Sequence, residues 1–247
     1  MSRPVFVVDA GVATTATLRG ILTLDGPEGR HAATVRRIGV GEQVDLVDGE
    51  GTRLTGEVVS ASRADLDIRV DAIERQADPA PRFVLVQALA KGDRDDRAIE
   101  AATELGVDVV VPWQAQRSIV QWRGDRGAKA RQRWVDTVRA AGKQSRRARF
   151  PLVADVVELR GLVALAGDAG AAYVLHEEAT EPLVAEHLPS QGDVVLVVGP
   201  EGGITPAELE ALTAAGAKVV RLGPTVLRSS SAGPAALAVL SAAARWR

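Results

Sequence analysis

The chain has 247 residues, of which 46% are hydrophobic and 25% charged, a composition typical of a globular protein with one large domain or two small ones. It contains no cysteine and three widely spaced histidines, which excludes a disulfide framework, a thiolate zinc site and a cysteine nucleophile and gives no expectation of a bound metal. The formal net charge of −2 hides a local excess, because residues 123–149 hold ten Lys or Arg against two Asp.

This basic segment favours contact with a phosphate backbone through counterion release, although the same charges could form a solvated helix face. The chain shows neither an N-terminal targeting signal nor an apolar run of membrane-spanning length. We therefore expect a cytoplasmic protein that binds a nucleic acid and has no membrane partner.

Residues 1–74 are dominated by short segments that alternate or are β-branched, separated by Gly and Asp turns. They read "RPVFVV", "TATLRG", "QVDLVDG", "RLTGEVVSAS" and "DLDIRVDAI". Closely spaced strands with little helix predict a small barrel domain over residues 1–74. The polar stretch 74–82, "ERQADPAPR", carries two prolines and is typical of a linker.

A second pattern begins at residue 82 and predicts a further domain over residues 80–247. "RFVLVQALA" and "VDVVVPW" are apolar enough to be buried strands, and "DDRAIEAATELG" between them places Ala98, Ala102 and Leu105 on one helical face. Gly106 ends that helix. A strand–helix–strand unit predicts a parallel sheet with crossover helices.

The remaining elements continue this alternation of helices and strands. "AKARQRWVDTVRAAGKQ" predicts a basic amphipathic helix with Trp134, Val135 and Val138 turned inward, and Thr205-Pro206-Ala207-Glu208 predicts a capping box at the start of another helix. Strands are predicted by "AAYVLHE", "DVVLVVG" and "AKVVRLG". "PTVLRSSSAG" is typical of a loop, and "PAALAVLSAAARW" predicts the last helix.

Two glycine-bearing loops, 199–203 and 222–231, follow consecutive strands of the predicted sheet. Ligands of open α/β sheets bind beyond the carboxyl ends of the strands, and glycine lets a ligand approach the backbone closely. Neither loop has the Lys and Ser/Thr of a triphosphate site, so the pair favours a flat, neutral or cationic ligand. From spacing alone, two tight strand–helix turns without a ligand are an equal interpretation.

The residues of these loops also carry a family resemblance. "GPEGGIT", followed by Glu208, and "LGPTVLRSSSA" resemble the C-terminal signature of the knotted SPOUT RNA methyltransferases, and more narrowly the RsmE family of 16S rRNA uridine-N3 methyltransferases. The resemblance continues upstream, in order and over nearly the whole chain, through "HAATVRRIGVGEQVDLVDGEG", "KGDRDDRAIEAATELGV", "VPWQAQRSIV" and "KQSRRARFP".

The resemblance implies a PUA-like β-barrel domain for RNA binding, followed by a parallel-sheet methyltransferase domain with a deep trefoil knot. It implies a homodimer that methylates N3 of uridine 1498 in the 16S rRNA of the 30S subunit. The implied cofactor is S-adenosylmethionine, which has no phosphate. The implied cofactor-binding residues are Leu175, His176, Gly199, Pro200, Glu201, Gly203, Leu222, Gly223, Val226, Leu227, Ser229 and Ser230.

Arg228 and Glu201 are the candidates for charge stabilisation during methyl transfer. The alternative for Arg228 is a structural ion pair with Glu201, and the alternative for Glu201 is stabilisation of its own loop. His176 either borders the cofactor or is a structural histidine. The expected RNA-backbone contacts are Arg37, Lys91, Arg117, Gln144, Arg146 and Arg147.

Two positions depart from the family pattern. Ser230 stands where the family usually has Glu, so this position supplies no general base, and Ala101 replaces a common basic residue. Two further functions stay open: a knotted methyltransferase that modifies a different RNA nucleotide, and a non-catalytic RNA-binding protein.

Overall fold

Residues 3–246 are described by the computed structural model, and they divide into two units. The first unit comprises residues 3–78 and 142–150, and the second comprises residues 79–141 and 151–246. The predicted second domain, 80–247, had included the short segment 142–150. The structure assigns this segment to the first unit because Ala148 and Phe150 pack into an apolar cluster with Val5, Val7 and Val47.

The first unit is built on a five-stranded sheet with the strand order β1-β3-β4-β5-β2. β1 pairs with β3 in parallel, and the other pairings are antiparallel. Alternate residues of these strands face one apolar core, as expected for strands with one buried face. The strands are β1 (Val5–Val7), β2 (Ile21–Leu24), β3 (Gln43–Val47), β4 (Thr52–Ala61) and β5 (Leu66–Arg75).

The secondary structure predicted from the sequence is wrong for part of this unit. The predicted strand "TATLRG" is wrong, because Arg19 adopts a left-handed φ of 64° that ends the extended run before β2. The helix α1 (Ala10–Thr15) was not predicted. Its β-branched residues favour strands by propensity, but the hydroxyls of Thr14 and Thr15 bond to carbonyls one turn earlier. The short helix α2 (Gly26–Arg30) and the π-helical turn His31–Val35 follow.

The second unit contains a six-stranded, fully parallel sheet with the order β11-β9-β10-β6-β7-β8. This confirms the predicted α/β class. The central strands are buried on both faces, as their near-continuous apolar sequences predict. The strands are β6 (Arg82–Ala88), β7 (Val109–Trp113), β8 (Leu152–Val153), β9 (Ala171–Leu175), β10 (Asp193–Val198) and β11 (Lys218–Val220).

Helices cover both faces of this sheet. α5 and α6 pack on the face that presents Val84 and Val86, whereas α7 packs against Leu85 and, beside α3, covers the other face. The last turn of α4 belongs to the first unit. The helices are α3 (Arg94–Glu104), α4 (Gly124–Gln144), α5 (Leu159–Asp168), α6 (Pro206–Ala214) and α7 (Ser229–Ala244).

Two helix starts test the sequence rules directly. The capping box of α6 is confirmed, since the Thr205 hydroxyl accepts the Glu208 N–H and the Glu208 carboxylate accepts the Thr205 N–H. The predicted loop over 224–233 is wrong in its second half, because α7 begins at Ser229. Pro234 lies inside that helix rather than at its start. Its fixed φ is compatible with this position, but the helix loses one backbone hydrogen bond there.

The predicted trefoil knot concerns how the chain threads through its own loops, and it stays a prediction. Within the part of the chain that the structure describes, no helix is both long and apolar enough to cross a membrane.

Candidate active site

A cleft of about 950 Å³ opens at the carboxyl edge of the parallel sheet in the second unit. The loops after β9 and β10 and the segment before α7 form most of its wall, and Arg94 and Arg117 lie beside them. A smaller recess of about 100 Å³ is lined by residues that follow β11 and shares Leu175, His176, Val226 and Leu227 with the cleft. Both glycine-bearing loops predicted from the sequence therefore meet at one site.

Most of the predicted cofactor-binding residues line this site. Leu222 and Gly223 line the recess only, and Ser230 lines neither space. The sequence interpretation missed Arg94, Glu177 and Glu178, which also line the cleft. The predicted cofactor-binding residues that line the cleft are Leu175, His176, Gly199, Pro200, Glu201, Gly203, Val226, Leu227 and Ser229, and the predicted catalytic Arg228 lines it as well.

The loop 199–203 is held in a tight turn whose backbone forms part of the cleft. Its turn is closed by a hydrogen bond of 2.9 Å from the Gly203 N–H to the Pro200 carbonyl, and Gly203 has a φ of +76° that favours glycine. A Cβ on Gly199 would lie 2.6 Å from Cγ1 of Ile204. Glycine at both positions therefore lets the loop turn sharply into α6.

Glu201 pairs with an arginine that the sequence analysis did not single out. Nη1 of Arg94, in the first turn of α3, donates to Oε1 of Glu201 at 2.7 Å. No hydrogen bond or ion pair of the Arg228 side chain is found among residues 3–246. The suggested Arg228–Glu201 ion pair is therefore wrong, and the exposed guanidinium of Arg228 is available to a ligand in the cleft.

Arg117 also contacts the glycine loop. Its Nη1 donates to the Gly202 carbonyl at 2.9 Å, and a Cβ on Gly202 would lie 3.2 Å from the Arg117 Cβ. Arg117 was predicted to contact the RNA backbone, and the structure brings its exposed side chain to the cleft.

His176 combines the two roles considered for it. It lines the cleft, and its Nδ1 accepts the backbone N–H of Glu178 at 3.2 Å. An acceptor Nδ1 leaves Nε2 as the ring nitrogen that carries hydrogen. His176 is therefore held by its own loop and offers one donor to a ligand.

The other predicted RNA contacts are spread over both units. Lys91 is exposed ahead of α3, and Arg37, Gln144 and Arg146 are exposed in the first unit. Arg147 is half-buried, and its Nε donates to the Arg149 carbonyl.

Several cations of the basic segment are engaged by protein groups, which reduces the charge left for a partner. Arg131 pairs with Asp155, Arg133 with Asp96, Lys143 with Glu28 and Arg149 with Asp78. Among residues 3–246, no group of three or more His, Asp or Glu side chains could hold a metal ion.

The buried carboxyl of Asp95 lies close to the site, one residue after Arg94. Burial and, to a smaller extent, the charge of Asp96 raise its pKa, whereas the N–H groups of Ala90 and Asp96 and the charge of Arg133 lower it, and the net pKa is about 6. The folded pKa exceeds the ordinary 3.8, so the stabilisation from protonated Asp95 is fully present below that value and is lost as pH rises through about 6.

We expect Asp95→Asn, which mimics the protonated carboxyl, to gain stability relative to the unaltered protein as pH rises between about 4 and 6. Denaturant unfolding followed by tryptophan fluorescence at several pH values measures this difference. The exposed Asp93→Asn is the matched control. A stability difference between the Asp95 variant and the unaltered protein that does not change with pH would contradict the assignment.

The site fits a flat organic cation without phosphate. Leu175, Val226 and Leu227 offer apolar surface, the loop 199–203 offers backbone, and the buried Ser229 Oγ has no hydrogen-bond partner among residues 3–246. These are features of a ligand site with a few fixed polar groups.

Comparison with known proteins agrees with this site. An RNA methyltransferase domain matches residues 78–241, and an RNA methyltransferase PUA domain matches residues 24–71. The fold and the site therefore define an RNA methyltransferase with a PUA domain, as predicted.

Relatives of known name narrow this class. The ribosomal RNA small subunit methyltransferase E of Mycobacterium bovis is 48% identical over 242 residues, which cover 95% of this chain and 92% of that protein. The protein of the same name from Bacillus subtilis is 30% identical over 227 residues, 89% of each chain. This chain belongs to the ribosomal RNA small subunit methyltransferase E family.

A solved structure extends the comparison to the whole fold. The Neisseria gonorrhoeae ribosomal RNA small subunit methyltransferase E, crystallised with S-adenosyl methionine, has a TM-score of 0.83 and 25% identity, with 98% of each chain covered. The resemblance found in the sequence motifs is thereby confirmed.

Proposed function

We propose that this protein transfers the methyl group of S-adenosylmethionine to N3 of uridine 1498 in the 16S rRNA of the small ribosomal subunit. The observation that carries the proposal is the cleft at the sheet edge, in which the loops 199–203 and 222–228 of the family signature meet. The name of the relatives and the S-adenosyl methionine bound to the Neisseria protein support the substrate and the cofactor.

The cofactor fits the side of the cleft formed by β9, β10 and the segment before α7. Leu175, Val226 and Leu227 would contact its apolar parts, and the backbone of loop 199–203 and Ser229 would bond its polar groups. When bound, the cofactor supplies the methyl group as an activated sulfonium. The chain contributes alignment and charge stabilisation.

Methylation of N3 requires an accessible Watson–Crick edge, so the uridine must be unpaired or flipped out. Removal of the N3 proton leaves negative charge on the uracil ring. The exposed Arg228 guanidinium lines the cleft without a partner among residues 3–246 and would stabilise this charge. Glu201, paired with Arg94, would then act by holding the loop and that arginine rather than by contacting the base.

RNA contacts in the first unit can be tested with little risk to the fold. Arg37 and Arg146 have left-handed φ angles of 54° and 59°, a region that glycine adopts more readily than arginine. We expect Arg37→Gly and Arg146→Gly to keep their backbone conformation, to lose one charge each and to weaken RNA binding. The salt slope, which is the slope of the logarithm of the RNA-binding constant against the logarithm of the salt concentration, should fall in magnitude by about 0.7 for each variant. Fluorescence anisotropy against salt concentration measures this effect.

Arg19→Gly is the matched control, because Arg19 is also exposed, has a φ of 64° and is not a predicted RNA contact. Unchanged salt slopes in the Arg37 and Arg146 variants would remove both residues from the RNA-binding surface. The same proposal extends to Gln144, Arg147, Lys91 and Arg117.

The decisive experiment incubates the protein and labelled S-adenosylmethionine with 30S subunits that lack the modification, and then maps the methyl group. Methylation at N3 of uridine 1498 is the expected result. A methyl group at another position would favour a different RNA nucleotide as substrate. No binding of S-adenosylmethionine by calorimetry, together with retained RNA binding, would favour a non-catalytic RNA-binding protein.

The proposal includes a homodimer, which the family resemblance implies, and activity in the cytoplasm without a metal ion. Sedimentation of the purified protein tests the dimer, and activity in the presence of a chelator tests the independence from metal.

A further inference from the structure

The charged residues of the cleft are divided by strand order. β10 lies between β9 and β6, so β9 and β11 are on one side of it and β6 and β7 on the other. His176, Glu177 and Glu178 follow β9. Arg94 and Arg117 follow β6 and β7. Glu177 and Glu178, together with Arg228, which follows β11, line the side proposed for the cationic cofactor, and the guanidinium groups of Arg94 and Arg117 line the opposite side.

Both guanidinium groups are held by the same glycine loop. Arg94 uses Nη1 for the Glu201 carboxylate, and Arg117 uses Nη1 for the Gly202 carbonyl. No other side-chain hydrogen bond of either arginine is found in the described range 3–246. Since a guanidinium has five N–H donors, most donors of both groups stay available. Such anchoring orients the planar groups before a ligand arrives.

The charge of Arg117 has no carboxylate partner in the same range, and the Arg94 side chain is 50% exposed despite its ion pair. An anion that reached this side of the cleft would therefore meet oriented, solvent-accessible donors. Planar guanidinium groups bind phosphate oxygens with two parallel hydrogen bonds, which a lysine cannot reproduce.

We propose that Arg94 and Arg117 form a phosphodiester-binding subsite for the RNA backbone next to the nucleotide that enters the cleft. This inference rests on the proposed function, because it takes RNA as the substrate. Glu201 then has a defined role as the residue that positions Arg94. The carboxylate of the cofactor is the competing ligand for these arginines, and the S-adenosylmethionine affinity of the variants distinguishes the two ligands.

The test measures binding of a fluorescein-labelled single-stranded oligouridylate, with S-adenosylhomocysteine present, as a function of salt. We expect Arg94→Gln and Arg117→Gln to weaken binding about tenfold each and to lower the salt slope by about 0.7 each, the value for one phosphate contact on a single strand. The salt slope of the double variant is expected to fall by about 1.4. S-adenosylmethionine affinity, measured by calorimetry, is expected to stay unchanged.

Three further variants separate charge from structure. Arg160→Gln removes an exposed arginine from α5, on the other sheet face, and is expected to change nothing. Arg94→Lys keeps the charge, so the salt slope should stay while affinity falls. Glu201→Gln breaks the ion pair but keeps the Arg94 charge, so the salt slope of this variant should not fall. If Arg94 only anchored the loop, Glu201→Gln and Arg94→Gln would have the same phenotype.

Unchanged salt slopes in the Arg94 and Arg117 variants would overturn the subsite even if the unaltered protein methylates 30S subunits. Loss of S-adenosylmethionine affinity with unchanged RNA binding would assign the arginines to the cofactor and also overturn it. An unaltered protein that binds no RNA would remove the proposed function and the subsite together. A subsite confirmed by the slopes stands even if the methyl group maps to another nucleotide.

Discussion

Replacing Arg228 by alanine is expected to lower the rate of methyl transfer by about 100- to 1,000-fold, as when one donor that stabilises a transition-state anion is removed. The backbone at this position is fixed by α7, because the Arg228 carbonyl accepts the N–H groups of Ser231 and Ala232. The side chain has no partner among the described residues, so its loss should leave the loop and the cofactor-binding surface intact. Single-turnover methylation of unmodified 30S subunits measures the rate, and calorimetry measures S-adenosylmethionine binding.

Two variants show whether the Arg228 charge acts on the transition state. Arg228→Lys keeps the charge and should retain more activity than Arg228→Ala, while Arg160→Ala should be as active as the unaltered protein. A higher KM with an unchanged kcat would indicate that Arg228 binds the RNA in the ground state. Near-normal turnover of Arg228→Ala would exclude the catalytic role.

The parallel sheet and its ligand loops could be predicted because their signals are local. Apolar runs of strand length alternate with helix patterns, and the capping box at Thr205 and Glu208 lies within four consecutive residues. The glycine loops were therefore placed at the correct edge of the sheet. The start of α7 was misplaced because proline is most frequent at the first helical position, and Pro234 instead lies in the second turn.

The partner of Glu201 could not be predicted in the same way. Arg94 is 107 positions away in the sequence, and nothing in "KGDRDDR" distinguishes it from a solvated arginine. The strand order brings the two residues together, because β6 and β10 are neighbours in the sheet. Long-range ion pairs of this kind depend on topology, which periodicity does not report.

For the basic segment 123–149, the number of charges was counted correctly from the sequence, but the number of charges that are free to bind RNA could not be predicted. The excess charge of residues 123–149 indicated a nucleic-acid surface, yet Lys143 bonds to Glu28 at 2.6 Å and Arg149 to Asp78 at 3.1 Å. These pairs hold residues 142–150 within the first unit. Arg146, whose side chain is exposed, remains the clearest candidate for an RNA contact within residues 142–150.

Replacing Arg245, the residue that follows α7, is expected to have the largest effect on stability. Its guanidinium pairs with Asp108, donates to the carbonyls of Gly106 and Pro81 at 2.6 and 2.7 Å, and lies 3.8 Å from the centre of the Phe83 ring. The Asp108 side chain is only 6% exposed. Arg245→Ala would leave this buried carboxylate without its guanidinium, which typically costs about 3–5 kcal/mol.

For a unit of this size, the loss corresponds to a fall in Tm of about 6–20 °C. Tryptophan fluorescence reports the second unit selectively, because Trp113, Trp122, Trp134 and Trp246 all belong to it. The control is Arg97→Ala, which breaks an exposed ion pair with Asp93 of 2.8 Å and should cost about 0.5 kcal/mol or less. Equal shifts for the two variants would show that burial of Asp108 adds nothing to the ion pair, since both variants remove an arginine from a short contact with a carboxylate.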